Sequence, residues 1–318
     1  MLIDLTLLAI GILILIIGSN YFVDGAASFA QNMKIPIIVI GLTVVAFATS
    51  VPEILVSVVA ALSGESDLAI GNAIGSNTAN IGLVLGSMAL IKPISMASKI
   101  YRNLIILLLL ISLFMIFPFL DNAITINDGR LILGGFILVM IWLIKYSLKL
   151  SIENSSEDDL SKQNYKAFTT TKAILLLVLG LMLLFLGADM IVNNAVKIAQ
   201  TLGISEAIIG ITLVAIGTSL PELTVSITSA LKGEYGLAVG NIIGSNIFNL
   251  LAVIGVATAI SPTKLPENIL SVHYLIMLSL TLSIFIITFR KNKVIKQYEG
   301  FTLLTIFCTY IAYIIFQS

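Results

Sequence analysis

Two glutamates lie in apolar stretches that contain no opposite charge. Glu53 lies in "ATSVPEILVS", residues 48 to 57, and Glu222 lies in "GTSLPELTVS", residues 217 to 226. No lysine or arginine occurs between Ile35 and Ile91. A charged side chain at the centre of a bilayer costs on the order of 2.5 to 3.5 kcal/mol on insertion scales, so an unpaired one indicates a functional site. One divalent cation would cancel the two negative charges.

A proline precedes each glutamate and adds a second source of oxygen ligands. Proline has no N–H and its ring clashes with the carbonyl four residues earlier, so Pro52 should free the carbonyls around Thr49. Pro221 should do the same around Thr218. We therefore expect each helix to break at its proline. Carbonyl and carboxylate oxygens suit Ca²⁺, which accepts six to eight oxygens at about 2.3–2.6 Å, better than octahedral Mg²⁺.

A stripe of neutral polar side chains follows each glutamate segment. In "GNAIGSNTAN" and "GNIIGSNIFN" the stripe residues are spaced four apart, on one helix face: Asn72, Ser76 and Asn80, then Asn241, Ser245 and Asn249. We expect the last two residues of each triplet to be cation ligands. Asn72 and Asn241 fit a ligand or an interhelical hydrogen bond, and Gly71, Gly75, Gly240 and Gly244 predict a close approach of another helix.

The composition places these segments in a membrane. Of 318 residues, 58% are hydrophobic and 11% charged, and the mean hydropathy is +1.09, which excludes a soluble globule of this size. Apolar stretches of about 17 to 25 residues predict an all-α bundle, whereas a membrane barrel would show ten-residue alternating strands. The formal net charge of zero gives no reason to expect nucleic acid, and Cys308 has no cysteine partner.

Hydropathy and helix breakers predict ten transmembrane spans. These spans lie near residues 3–22, 37–62, 68–91, 103–120, 130–148, 173–192, 207–231, 237–260, 269–289 and 301–316. The apolar run from Leu5 to Phe22 lacks a basic leader and a small-residue cleavage site, so we expect it to be a retained helix rather than a signal peptide.

The chain contains an internal repeat. Residues 41 to 86 align with 210 to 255 without a gap, and 25 of 46 positions are identical. The repeats should occupy residues 1–148 and 173–318, with motif regions at 37–91 and 206–260, joined by a linker at 149–172. Because five helices are an odd number, the second copy enters from the opposite side. Inverted repeats with discontinuous helices are typical of secondary transporters.

Basic residues predict the orientation. Connections after predicted spans 1, 3, 5, 7 and 9 hold 14 of the 17 lysines and arginines. The positive-inside rule then places both termini outside a cell membrane and the linker in the cytoplasm. The linker's acidic run lacks the ligand spacing of a calcium loop, so we expect a solvated tether.

The paired motifs resemble a known family. "GLTVVAFATSVPE" with "GNAIGSNTAN", and "GITLVAIGTSLPE" with "GNIIGSNIFN", are similar to the two alpha-repeats of the calcium/cation antiporter superfamily, in its prokaryotic sodium/calcium exchanger branch. The resemblance covers the ten-helix topology and about 90 residues of motif. It implies electrogenic exchange of several Na⁺ for one Ca²⁺ by alternating access, with spans 1 and 6 as a sliding gate.

The resemblance also implies a role for each site residue. Glu53 and Glu222 would be shared by Ca²⁺ and Na⁺, and the Thr49 and Thr218 carbonyls would complete the calcium site. Flanking sodium sites would be lined by Ala46, Ala215, Ser50, Ser219, Ser76 and Ser245. The middle of the site would hold Asn80 and Asn249.

The sequence departs from the family pattern at two positions. Potassium-dependent members carry an aspartate where this chain has Asn249, so we expect exchange without K⁺. Ala48 replaces the glycine that usually precedes Thr-Ser, while Gly217 is retained in the second repeat. With about 24 linking residues, we expect no large regulatory domain between the halves.

Three other functions fit the sequence less well. A calcium/proton antiporter is the main alternative, because two buried carboxylates could share a proton, although proton-coupled relatives usually carry a glutamate after Gly-Asn-Ala, where Ile74 stands here. A channel needs a continuous pore. An enzyme needs a catalytic set, and His273 is the single histidine. We expect Ca²⁺, Na⁺ and the bilayer as partners, with no cofactor and no obligatory protein partner.

Overall fold

The structure, a computed structural model, describes residues 1–153, 167–202, 215–265 and 268–317. Its helices are α1 (Leu2–Met33), α2 (Ile37–Thr49), α3 (Val51–Leu62), α4 (Ser66–Ala79, Asn80–Leu85 and Gly86–Ile91), α5 (Lys99–Phe114), α6 (Ile126–Glu153), α7 (Thr170–Thr201), α8 (Ala215–Thr218), α9 (Leu220–Leu231), α10 (Tyr235–Ile247, Phe248–Val253 and Ile254–Ile260), α11 (Ile269–Tyr274 and Leu275–Phe289) and α12 (Gln297–Gln317). The chain is therefore mostly helical, as its composition predicts.

The membrane-spanning character of the bundle is confirmed by helix length and composition. In the described ranges, eight helices are long and apolar enough to cross a bilayer, and the bent pair α2 and α3 makes a ninth. The remaining predicted span, 207–231, begins in residues 203–214, which lie outside the described part, and only its portion in α8 and α9 is seen. Ten helices in two inverted repeats therefore stay a prediction.

Several helices are longer than their predicted spans. The predicted bounds 3–22 and 173–192 are too short, because α1 reaches Met33 and α7 reaches Thr201. The apolar run that sets a predicted bound ends at the first polar turn, such as the one around Asp24. The helical hydrogen bonds continue through that turn. Likewise α6 reaches Glu153 and α7 starts at Thr170, so both ends of the predicted linker 149–172 are helical. Residues 154–166 lie outside the described chain.

Glycines bring α1 and α7 into close contact. A Cβ built on Gly180 would lie 2.5 Å from the Phe22 nitrogen, and one on Gly18 would lie 2.8 Å from the Leu184 nitrogen. A side chain at either position would force the two backbones apart. The two helices that the family resemblance assigns to a sliding gate thus lie against each other.

Both glutamate segments break before the proline and not at it. The residue between α2 and α3 is Ser50, with φ −86° and ψ 4°, and Ser219 between α8 and α9 has φ −87° and ψ 3°. Pro52 and Pro221 then occupy the first turn of the following helix, where a missing N–H breaks no helical bond. The bend between α2 and α3 is 43°. The expectation of a break at the proline is wrong by two residues.

The two polar-stripe helices form the centre of the bundle. Within their apolar windows, 72% of α4 and 89% of α10 are buried inside the protein, a larger share than in the other candidate spans. Both contain a π-helical turn at the same place in the repeat, Asn80–Leu85 and Phe248–Val253. Single π-helical turns occur frequently at functional sites.

Two short strand pairs lie in the connections, and the hydropathy pattern gives no sign of them. β1 (Ile94–Ser95) pairs antiparallel with β4 (Val294–Ile295), and β2 (Ala123–Ile124) pairs antiparallel with β3 (Thr263–Lys264). Each pair joins one predicted repeat to the other. Next to β4, Arg290 forms an ion pair with Glu299.

Candidate cation site

The two glutamates meet in the interior of the described bundle. Glu53 lies in the first turn of α3 and Glu222 in the first turn of α9. Each is 1% exposed. Ser50, three residues before Glu53, donates its hydroxyl to Glu222 Oε1, so the segment that carries Glu53 reaches the second carboxylate. The structure thus brings together residues that are separated by 169 positions in the chain.

Each carboxylate is faced by hydroxyl groups from both repeats. The hydroxyls of Ser76, from the same repeat, and Thr218, from the other, lie near the Glu53 carboxylate, and that of Ser76 is not within hydrogen-bond geometry of it. The hydroxyls of Ser245, Thr49 and Ser50 lie at Glu222 in the corresponding way. Ser50 donates to Glu222 Oε1 over 3.2 Å.

Many polar atoms here are buried without a hydrogen-bond partner among the described residues. They include both carboxylate oxygens of Glu53, Oε2 of Glu222, the hydroxyls of Ser76, Ser219 and Ser245, and both amide atoms of Asn80 and Asn249. A buried polar group without a partner costs about 1–3 kcal/mol, and a charged one costs more. A bound cation could satisfy the oxygens of this set, and the role of these residues as cation ligands stays a prediction.

Asn80 and Asn249 lie at matching positions in α4 and α10. Each is at most 1% exposed; Asn80 is the first residue of a π-helical turn and Asn249 is the second residue of the other. Neither amide has a hydrogen bond in the described structure. Their expected role in the middle of the site stays a prediction, and their surroundings are consistent with it.

Ala46 and Ala215 are the two alanines expected to offer carbonyl oxygens, and the structure shows the hydrogen bonds of Ala46. The Ala46 carbonyl accepts from Ser50 N at 3.0 Å and from the Thr49 hydroxyl at 3.4 Å. In the second repeat, Ser219 N donates to the Ile216 carbonyl at 3.2 Å. The expected role of the Ala215 carbonyl stays a prediction.

Asn72 and Asn241 differ from the other stripe residues because they are hydrogen-bonded. Asn241 Nδ2 donates to the Ser226 hydroxyl at 3.0 Å, and Asn241 Oδ1 accepts from the Thr49 hydroxyl at 3.1 Å. Asn72 Nδ2 donates to the Ser57 hydroxyl at 3.3 Å. The sequence allowed either a cation ligand or an interhelical hydrogen bond at these two positions, and the contacts favour the hydrogen bond.

Sequence reasoning did not single out the asparagine that follows Ser76 and Ser245. Asn77 Nδ2 donates to the Asn246 carbonyl at 3.1 Å, which joins α4 to α10 at equivalent positions. Both side chains are 1% exposed. Asn77 and Asn246 are the third residues of the aligned "GSN" motifs, and this identity between the repeats could have marked them. They do not lie on the stripe of residues spaced four apart that was expected to bind the cation.

The predicted close approach at glycines holds in the second repeat. A Cβ on Gly240 would lie 2.6 Å from the Ile38 carbonyl oxygen, and one on Gly244 would lie 2.5 Å from Ala46 Cβ. Helix α10 therefore contacts the backbone of α2 directly. The counterpart of α2 lies mainly in residues 203–214, outside the described chain, so the same expectation for Gly71 and Gly75 stays a prediction.

Ala48 replaces the glycine that is usual in the family, and the equivalent residue in the second repeat, Gly217, is crowded by a neighbouring side chain. A Cβ on Gly217 would lie 2.2 Å from the Val192 side chain on α7. The Ala48 methyl is tolerated, and it lies in the apolar cluster that contains Val23 of α1. A methyl group at position 217 would force the Val192 side chain to move, whereas position 48 has room for one.

The donor set is chemically uniform. It consists of two carboxylates with hydroxyl, amide and carbonyl oxygens, which are hard ligands suited to Ca²⁺ and other hard cations. Over the described ranges, no group of three or more His, Cys, Asp or Glu side chains forms a metal cluster. His273 is bonded through Nδ1 to the Tyr310 hydroxyl at 2.9 Å.

Comparisons with known proteins agree with this chemistry. The family model described as "Sodium/calcium exchanger protein" matches residues 3–145 and 172–316. The chain is 41% identical to a putative antiporter, CaxA, of Alkalimonas amylolytica over the whole length of both chains. It is 31% identical to the sodium/calcium exchanger MaX1 of Methanosarcina acetivorans, over 97% of each chain.

Solved structures give the same answer at the level of the fold. The sodium-calcium exchanger NCX_Mj soaked with 10 mM Na⁺ and zero Ca²⁺ superposes with a TM-score of 0.83 at 32% identity, over 98% of each chain. The same exchanger soaked with zero Na⁺ and Ca²⁺ gives 0.84 at 34% identity. Together with the family match along both halves, these findings show that the chain belongs to the sodium/calcium exchanger family.

Proposed function

We propose that the protein is a secondary antiporter that exchanges Na⁺ for Ca²⁺ across the membrane by alternating access. Transport is electrogenic and independent of K⁺. The observation that carries the proposal is the cluster of unpartnered buried oxygens around Glu53 and Glu222. Relatives named as exchangers of these ions support the choice of ions.

The charge of the site explains how two ions can compete for it. Two ionised carboxylates are balanced by one Ca²⁺ or by two Na⁺, and the remaining ligands are neutral. Each carboxylate is faced by hydroxyls of both repeats, and the same set of oxygens would hold either ion. Ca²⁺ and Na⁺ therefore exclude each other from the site. Further Na⁺ at the flanking hydroxyls of Ser50, Ser76, Ser219 and Ser245 would add positive charge beyond that of Ca²⁺, which makes exchange electrogenic.

The absence of a third carboxylate supports K⁺ independence. Asn249 is neutral and fully buried, so position 249 adds no negative charge that would hold another monovalent ion. The two calcium-site carbonyls come from Thr49 and Thr218, at the ends of α2 and α8.

The same proposal includes the arrangement in the membrane. Two inverted five-helix repeats, 1–148 and 173–318, place Glu53 and Glu222 on opposite sides of a pseudo-two-fold axis. Both termini lie outside the cell membrane and the linker in the cytoplasm. In support, the Ser50 and Ser219 breaks have almost the same backbone angles.

Ion uptake into proteoliposomes tests the function. We expect Ca²⁺ to enter vesicles that contain Na⁺ when they are diluted into Na⁺-free medium, and to enter faster when an imposed potential makes the interior positive. Added K⁺ should leave the rate unchanged apart from its effect on potential.

Two control conditions separate the main alternative. Vesicles with an outward H⁺ gradient but no Na⁺ should take up Ca²⁺ no faster than vesicles with neither gradient. Uptake driven by the H⁺ gradient alone, with no response to Na⁺, would identify a calcium/proton antiporter and refute the proposal.

A further inference from the structure

We propose that Asn241 is a positioning residue that fixes how Thr49 and Glu222 face a shared cation; this rests on the proposed function of the site. Asn241 lies in α10 and is 0% exposed. Its amide group is not a ligand of the cation. Instead it acts through the two residues that its amide group holds.

The amide of Asn241 joins segments of both predicted repeats. Its oxygen accepts from the Thr49 hydroxyl at the end of α2, and its nitrogen donates to the Ser226 hydroxyl in α9. Ser226 is four residues after Glu222, on the same face of that helix. One side chain thereby sets both the rotation of the helix that carries Glu222 and the place of Thr49.

The Thr49 hydroxyl has a choice of acceptors. It lies near the Glu222 carboxylate, 3.4 Å from the Ala46 carbonyl and 3.1 Å from Asn241 Oδ1, the shorter of the two measured contacts. Held by Asn241, it leaves the carboxylate oxygens free for the cation. Thr49 then has two separate functions. Its hydroxyl holds the backbone in place through Asn241, and its carbonyl faces the ion.

The first repeat contains a weaker version of this contact. Asn72 donates over 3.3 Å to the Ser57 hydroxyl, which is four residues after Glu53, and over 3.4 Å to the Glu53 carbonyl. Asn72 is only partly buried. The shorter bonds and complete burial at Asn241 predict that it matters more than its counterpart.

Substitutions that remove each end of the contact test the proposal in the full-length protein. We expect Asn241→Ala and Thr49→Val each to raise the KM for Ca²⁺ roughly 2- to 10-fold, the effect of one lost hydrogen bond, with the maximal exchange rate changed less than KM. A merely structural role would lower the amount of active protein, and hence the maximal rate, without changing KM.

The double variant shows whether the two residues act together. Asn241→Ala with Thr49→Val should raise KM no more than the larger single effect, because both remove the same bond. If the effects multiply, the Thr49 hydroxyl acts on Glu222 directly and the proposal is wrong.

Matched controls account for the loss of any buried polar group. Thr258→Val removes a buried hydroxyl that bonds within its own helix at 2.7 Å, and Asn103→Ala removes a bond to Tyr146 on the peripheral helices. Both should keep the parent KM. If Asn241→Ala behaves like these controls while the parent exchanges Ca²⁺ for Na⁺, the positioning role is refuted. A parent protein without Na⁺-driven Ca²⁺ exchange would instead refute the proposed function.

Discussion

Replacing Glu53 with glutamine should stabilise the protein without Ca²⁺ and remove its response to Ca²⁺. The carboxylate is 1% exposed, and neither oxygen has a hydrogen-bond partner among the described residues. Removing one buried charge should therefore gain up to about 3 kcal/mol, the insertion-scale cost of such a charge. In the parent, Ca²⁺ at 100 times its Kd adds about 2.7 kcal/mol. The two proteins should thus differ without Ca²⁺ and nearly coincide with it.

Thermal unfolding of the purified protein in detergent measures both effects. We expect Glu53→Gln to melt several degrees above the parent in chelator, with no further shift when Ca²⁺ is added. Glu65→Gln is a matched control, because Glu65 precedes α4 at an exposed position and makes no side-chain cap bond. A Glu53→Gln protein that melts below the parent and still gains stability from Ca²⁺ would show that this carboxylate does not bind the ion.

Two further outcomes are expected from charge changes elsewhere. Asn249→Asp should alter the Na⁺, K⁺ and pH dependence of Ca²⁺ exchange in liposomes more than Asn72→Asp, because Asn249 is fully buried whereas Asn72 is only partly buried; a profile equal to the parent's would remove position 249 from the site. Asp24→Asn should loosen α1 from α9 by about 1 kcal/mol, since it removes a partly buried ion pair with Lys232 at 2.5 Å. Spin labels on the two helices should then move apart at that end, whereas Asp4→Asn, at the other end of α1, should leave the distance unchanged.

The broad arrangement of the bundle could be predicted because hydropathy reports burial directly. Helix α11 has the predicted bounds, and the two glutamates meet as the repeat indicates. Helix ends were predicted less well, because polar turns such as that at Asp24 continue a helix beyond its apolar run. The helix breaks at Ser50 and not at Pro52, because proline fits the first turn of a helix.

The hydrogen bonds of the site could not be read from the sequence. Asn80 and Asn241 lie on equivalent helices and have the same side chain, yet the former has no partner in the described structure and the latter has two. One of the two partners of Asn241 is Thr49, which lies in a helix far away in the chain. Local spacing carries no information about such contacts. The strand pairs were missed for the same reason, because two-residue strands give no periodic pattern.

The two strand pairs have a consequence for how the protein is made. Ile94 pairs with Ile295, and Ala123 pairs with Lys264, so neither pair can form until the ribosome has passed the later strand. Contacts between distant parts of a chain form slowly, and partly folded membrane segments are exposed meanwhile. Glu53 enters the bilayer long before Glu222 and its hydroxyls are synthesised. A chain that stops after its first half would therefore leave this carboxylate in the membrane without the opposing repeat.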